Sequence, residues 1–121
     1  NMATIKINDI ELEFNALDAD TAEKIENALD RVKTRVTEIH VDKSLKLSQG
    51  IRAICETVFE CFNTIFGEGT DKKVFGNTCD MGKALDAFGQ LKIQLDQSQT
   101  KFMTDLTAKY TPNRANRRAS K

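Results

Sequence analysis

The sequence has no tryptophan, a single proline, a single histidine and only six glycines in 121 residues. The proline, Pro112, lies close to the C-terminal end. Nearly the whole chain is therefore free of the residue that breaks helices, and long helices can run uninterrupted. No stretch approaches the roughly 20 apolar residues that a membrane-spanning helix needs. The chain opens Met2-Ala3-Thr4-Ile5-Lys6-Ile7 with alternating character, which is not the pattern of a secretory signal. Asn1 ahead of Met2 reads as a residue left over from expression. A cytoplasmic location in the producing cell is expected on these grounds.

Cysteine is scarce too. Cys55, Cys61 and Cys79 are an odd number and contain no CxxC pair, and the only histidine, His40, is remote from them in sequence. Zinc sites want four ligands at tight spacings, so no metal centre is expected. Cys55 and Cys61 fall within an apolar run, where free cysteine behaves as a small hydrophobe. All three are expected to be core thiols in a reducing compartment.

What is present is ordinary in amount and uneven in placement. Hydrophobic residues make up 40% and charged residues 30%, as in a globular domain. The formal net charge is zero, but five basic residues and no acidic one lie between Lys109 and Lys121. The remainder holds 13 basic and 18 acidic residues, a net of −5. The body is acidic and the tail basic.

The first fifteen residues read as a β-hairpin. Ile5 and Ile7 alternate with Thr4 and Lys6, and Ile10, Leu12 and Phe14 alternate with Glu11 and Glu13. Period-two alternation marks a half-buried strand. Asn8-Asp9 between the runs tolerates the positive φ of a tight turn. A lone hairpin is barely stable in water, so helices or a neighbouring chain must cover its apolar face.

Helices are expected after it. Asp18 and Asp20 are both suitable N-caps, and Asp20-Thr21-Ala22-Glu23 resembles a capping box. Ala22, Ile25, Leu29, Val32, Val36 and Ile39 then recur in steps of three and four, one helical stripe. Packing inside the domain is the preferred account of that stripe, with a short coiled-coil seam as the alternative. Ser44 or Ser48 is expected to cap a second helix reaching about Phe66. With Leu47, Ile51, Ile54, Cys55, Val58, Phe59, Phe62, Ile65 and Phe66 it is the most apolar segment, hence central. Gly67-Glu68-Gly69-Thr70 ends it. Thr70 or Asp71 is expected to cap a single turn anchored by Phe75 and closed by Gly76-Asn77. A last, long helix runs from about Asp80 to Lys109, with Ala84, Phe88, Leu91, Leu95 and Phe102 on its buried side and Leu106 close by. Its far half is diluted by Gln94, Gln97, Ser98, Gln99 and Thr100, and is expected to project or to meet a partner.

The predicted fold class is mainly α (α+β): an N-terminal β-hairpin, three principal helices and a basic tail. Residues 1–109 are expected to form one domain and 110–121 a disordered segment.

Motifs that carry chemistry are missing or incomplete. Gly76-Asn77-Thr78-Cys79-Asp80-Met81-Gly82-Lys83-Ala84 glances at a phosphate-binding P-loop. That motif needs four residues between its glycines, a Ser or Thr after the lysine and a preceding strand; here there are five and Ala84. Gly67-Glu68-Gly69 is a lone GxG that marks a helix end. His40 beside a helix C-terminus suits the helix dipole. With no second histidine and no Ser or Cys partner set close by, nucleophilic catalysis has no support. No enzyme, cofactor or small-molecule substrate is expected.

The tail Asn113-Arg114-Ala115-Asn116-Arg117-Arg118 has three readings. It is a disordered hook that orders on an acidic protein partner, a solvated end, or a weak contact for nucleic-acid phosphate. The acidic body disfavours a polyanion.

Three segments together carry a resemblance. They are Leu17-Asp18-Ala19-Asp20-Thr21-Ala22-Glu23-Lys24, then Phe66-Gly67-Glu68-Gly69-Thr70-Asp71-Lys72-Lys73-Val74-Phe75-Gly76, and Pro112-Asn113-Arg114-Ala115-Asn116-Arg117-Arg118. The chain resembles small proteins encoded in the tail-gene region of phages and prophages of Gram-positive, Firmicutes-type bacteria. Several of these look like tail assembly chaperones, and others are uncharacterised phage proteins. The resemblance implies a non-enzymatic protein that coats the tape-measure protein and meets tail-tube subunits in the bacterial host cell before the tail polymerises. The contact surfaces it implies are the hairpin face (Ile10, Leu12, Phe14), the far half of the last helix and the basic tail (Arg114, Arg117, Arg118). A structural virion component and a nucleic-acid-binding regulator are the rival readings. Two routes to a homo-oligomer are open: the hairpin edge and the stripe from Ala22 to Ile39.

Overall fold

The computed structural model describes residues 2–110. It is mainly α with one small β element. Strands β1 (Met2–Ile7) and β2 (Ile10–Asn15) precede helices α1 (Ala19–Val41), α2 (Leu47–Phe66), α3 (Thr70–Phe75) and α4 (Met81–Tyr110).

The strands pair antiparallel with Ile7 opposite Ile10, Ile5 opposite Leu12 and Ala3 opposite Phe14. Asn8 and Asp9 both take positive φ, 49° and 67°, the geometry of the tight turn read from the sequence. Alternation does the rest: Ala3, Ile5, Ile7, Leu12 and Phe14 are buried, and the intervening side chains face solvent. Helices of the same chain cover the apolar face. β1 lies along α4, β2 touches α2, and Phe14 meets Phe66 edge-on at 6.4 Å.

The outer edge of β1 is also met by α4. The Gln94 side chain accepts from the Lys6 backbone N–H (2.9 Å) and donates to the Lys6 carbonyl (2.6 Å), standing in for a third strand. A net hydrogen bond is worth about 0.5–1.5 kcal/mol, and water can replace exposed ones. Gln94→Ala is accordingly expected to cost about 1 kcal/mol and to raise the exchange rate of the Lys6 amide selectively, which hydrogen-exchange NMR reads directly.

Helix α1 starts two residues earlier than the capping-box pattern suggested. Asp18, not Asp20, is the N-cap: its carboxylate accepts from the Thr21 backbone N–H (2.9 Å) and hydroxyl (2.8 Å). Asp20 falls inside the first turn, where a negative charge suits the helix dipole. The two Thr21 bonds, the backbone one foremost, hold the Asp18 carboxyl below its ordinary 3.8. A depressed carboxylate pKa stabilises above the unfolded value and loses that contribution as pH falls through the folded value. Asp18→Ala should therefore melt lower than wild type at neutral pH. Thermal melts as a function of pH should show the gap closing below about pH 4.

Along α1, Ile25, Ala28, Val32 and Ile39 are buried, while Ala22, Leu29 and Val36 are half-buried. The stripe packs inside the domain, against α2. Helix α2 is central, in contact with α1, α3, α4 and β2. Phe62 is fully buried, with ring centroids 6.3 Å from Phe66 and 5.4 Å from Phe75.

The caps of α2 and α3 correct the sequence reading. Neither Ser44 nor Ser48 caps α2; Lys46 does, and Gln49 reaches back to accept from its N–H at 2.8 Å. Ser44 instead donates through its N–H and hydroxyl to Asp42, which closes the turn between the helices. Leu47, expected in the core, is 80% exposed at the first position of α2. The cap of α3 is Gly69 at φ 88°, a left-handed conformation that favours glycine. Thr70 becomes the first helical residue, buried, with its hydroxyl donating to the Gly67 carbonyl (2.7 Å). Asn63 of α2 accepts the Asp71 N–H at 2.9 Å, satisfying one of the orphan donors of α3.

Candidate interaction surface

The segment that glanced at a P-loop is a helix stop followed by a helix start. Gly76 ends α3, and the Asp80 carboxylate accepts from the Lys83 N–H at 2.9 Å at the head of α4. A negative group of the chain itself therefore occupies the position where a phosphate would approach.

A groove of about 620 Å³ opens between α1 and α2. The Arg31–Glu60 ion pair (3.0 Å) spans it between largely exposed side chains. Cys61 lines the groove, and burial pushes its thiol up to about 12. His40 is exposed in the last turn of α1. Among the described residues, no three His, Cys, Asp or Glu side chains are grouped to hold a metal ion.

The cysteines divide differently from the sequence expectation. Cys55 and Cys61 are buried, but Cys79 is exposed in the connection before α4. Cys55 is pushed up to about 12, first by burial and then by its hydrogen bond with the Cys79 thiol. Nothing in a spacing of 24 residues announces that pairing, which depends on how α4 returns along α2.

The expected contact residues separate into three groups. Leu12 and Phe14 lie inside the chain's own core, and Ile10 is half-buried beside the turn. As an exposed docking face the hairpin is therefore corrected: α2 and α4 already cover it. Arg114, Arg117 and Arg118 lie outside the described residues. The far half of α4 remains, and it is exposed.

That half has a definite geometry. Ala84, Ala87, Phe88, Leu91 and Leu95 are buried, and no described residue of α4 beyond Leu95 is. Phe102 is half-buried against the edge of the core, while Leu106 is 40% exposed. At 100° per residue, Phe102 and Leu106 point within about 20° of the direction of Leu95. The core-facing stripe thus continues past the core. Met103 and Tyr110, 56% and 76% exposed, flank it on one side. Sequence reading marked Leu106 and missed Met103 and Tyr110. Their i, i+3 and i, i+4 relation to Leu106 was the available signal.

No described helix is long and apolar enough to cross a membrane. No curated protein and no solved structure matches the chain. Residues 8–121 match a family described as a family of unknown function, DUF6673, and the chain belongs to that family.

Proposed function

We propose that this protein is a tail assembly chaperone of a phage or prophage, acting by transient contacts with tape-measure and tail-tube proteins. Two things support the reading: the resemblance of three segments to tail-region proteins, and the apolar stripe of α4 that outruns its own core. The second carries it. A helix stretch of fifteen residues with Phe102, Met103, Leu106 and Tyr110 on adjoining faces gains little from standing in water. Isolated helices of that length are marginal, so a packing partner is the expected source of its stability. A helix laid into an apolar groove is a common mode of protein recognition.

Co-expression with the tape-measure and tail-tube proteins of the same phage, followed by pull-down, tests the reading. Capture of either one is expected, with Leu106→Asp reducing it at least tenfold. Absence of binding to both would sink the proposal. Mass spectrometry of purified virions separates it from a structural role, since a chaperone should be missing from the finished particle.

A further inference from the structure

We propose that Cys55 and Cys79 form a redox-sensitive dithiol, a modification site at which a small-molecule disulfide such as oxidised glutathione closes an intrachain disulfide. The bond fastens the connection before α4 to α2. No partner protein is involved, so the site stands apart from the chaperone reading.

Tertiary packing sets the two thiols together. Phe75, the last residue of α3, lies on α2 with its ring centroid 4.9 Å from Phe59 and 5.4 Å from Phe62. Cys55 is one turn before Phe59 on the same side of α2. Cys79 follows Phe75 by four residues, in a connection tied down on both sides of it. Thr78 donates through its N–H (3.3 Å) and hydroxyl (2.7 Å) to the Phe75 carbonyl, and Asp80 accepts from the Lys83 N–H (2.9 Å). Phe75 thus sits over Phe59, and Cys79 over Cys55, where the two thiols are hydrogen-bonded to each other. Direction excludes Cys61. Six residues after Cys55, it points about 120° away round the helix. It lines the groove between α1 and α2 instead.

Access orders the chemistry. Cys79 is exposed and Cys55 is fully buried, so an oxidant in solution meets Cys79 first. The Cys79 thiolate attacks one sulfur of oxidised glutathione, whose S–S bond breaks and releases one glutathione thiolate. Cys55 then loses its proton to solvent, and its sulfur attacks Cys79 Sγ, expelling the second glutathione as thiolate. Two cysteine thiols are oxidised and one disulfide is reduced, and the two protons released end on the two glutathione thiolates. In a reducing compartment a bond of this kind is transient and responds to oxidation.

Mass spectrometry of the full folded chain after incubation with oxidised glutathione tests this. The expected product has lost two hydrogens and carries no glutathione. Cleavage after Glu56 and Glu60, which separates Cys55 from Cys61, should leave the Cys79 peptide joined to the Cys55 peptide and Cys61 free for alkylation. The oxidised form is expected to melt at least about 5 °C above the reduced one, because the bond closes a span of 24 residues in the unfolded chain. Dithiothreitol should restore both the mass and the melt. Cys79→Ser, at an exposed position, should keep the helical circular dichroism signal and lose the intrachain disulfide. An unchanged mass, or a glutathione adduct that persists on Cys79, overturns the proposal. So does a disulfide to Cys61 or between chains, a Cys79→Ser chain that still loses two hydrogens, or an oxidised form that melts no higher than the reduced one.

Discussion

Replacing Phe62 with alanine is expected to remove about 3–5 kcal/mol of stability, the range found when a buried phenylalanine is truncated. Phe62 is fully buried in the C-terminal part of α2 and is the largest of the fully buried side chains. Its ring meets Phe66 on its own helix and packs edge-on to Phe75 of α3, 5.4 Å between centroids. The alanine would leave a cavity bounded by separate elements of the fold, which cannot all collapse into it. Small domains have only about 5–15 kcal/mol in total, so the variant should lose a large share of its stability and melt well below wild type. Urea unfolding followed by circular dichroism measures the loss. A cost under about 1 kcal/mol would mean that α2 is not the centre of the core.

The second large effect concerns the hairpin, and it decides what that element is for. Leu12→Asp places a carboxylate where the side chain is 6% exposed, opposite Ile5 and among Ile7, Phe14 and the covering helices. An unpaired charge in such a site costs about 3–5 kcal/mol unless the group takes up a proton or the structure opens. The expected result is loss of the cooperative thermal transition at neutral pH. Partial recovery is expected as pH falls below the raised pKa of the new carboxyl. Glu13→Ala, one residue along on the exposed face, should leave the melt near wild type. Had the hairpin face been a docking surface waiting for a partner, Leu12→Asp would leave the isolated protein stable and abolish only binding. The two outcomes are easily told apart by a melt of the protein alone.

Contact between this protein and any partner is accordingly expected at α4 and not at the hairpin. The argument is one of available surface. Ile5, Ile7, Leu12 and Phe14 are already dehydrated inside the chain, so a partner gains nothing from covering them. Met103, Leu106 and Tyr110 are hydrated in the described structure, and their burial is still to be gained.

Elements and their order were legible from the residues because local chemistry specifies them. The alternation through Ile5, Ile7, Ile10, Leu12 and Phe14 and the turn at Asn8-Asp9 place the hairpin without reference to anything distant. The Ala22–Ile39 stripe, the apolar density from Ile51 to Phe66 and the glycines at 67, 69 and 76 do the same for the helices. Caps were less legible. Aspartate at 18 and at 20, or serine at 44 and at 48, satisfy the same local rule. The choice is made by where the covering partner lets the first turn begin. Leu47 fails as a core residue for a related reason: an apolar side chain at the first helical position enters the core only if another element reaches that end of the helix.

By itself, then, the sequence determined the class of fold, the number of elements, the turn of the hairpin and the uneven division of charge, since each depends on neighbours a few residues away. The tertiary structure decided which apolar faces are covered. The sequence presents Leu12, Phe14, Leu47 and Leu106 alike as members of periodic stripes. Only the packing of α2 and α4 against the hairpin makes the first two core, while the ends of α2 and α4 leave Leu47 and Leu106 in water. Periodicity states which side of an element is apolar. How far along that side a neighbour extends depends on contacts between residues as distant as Lys6 and Gln94, and no local pattern encodes them.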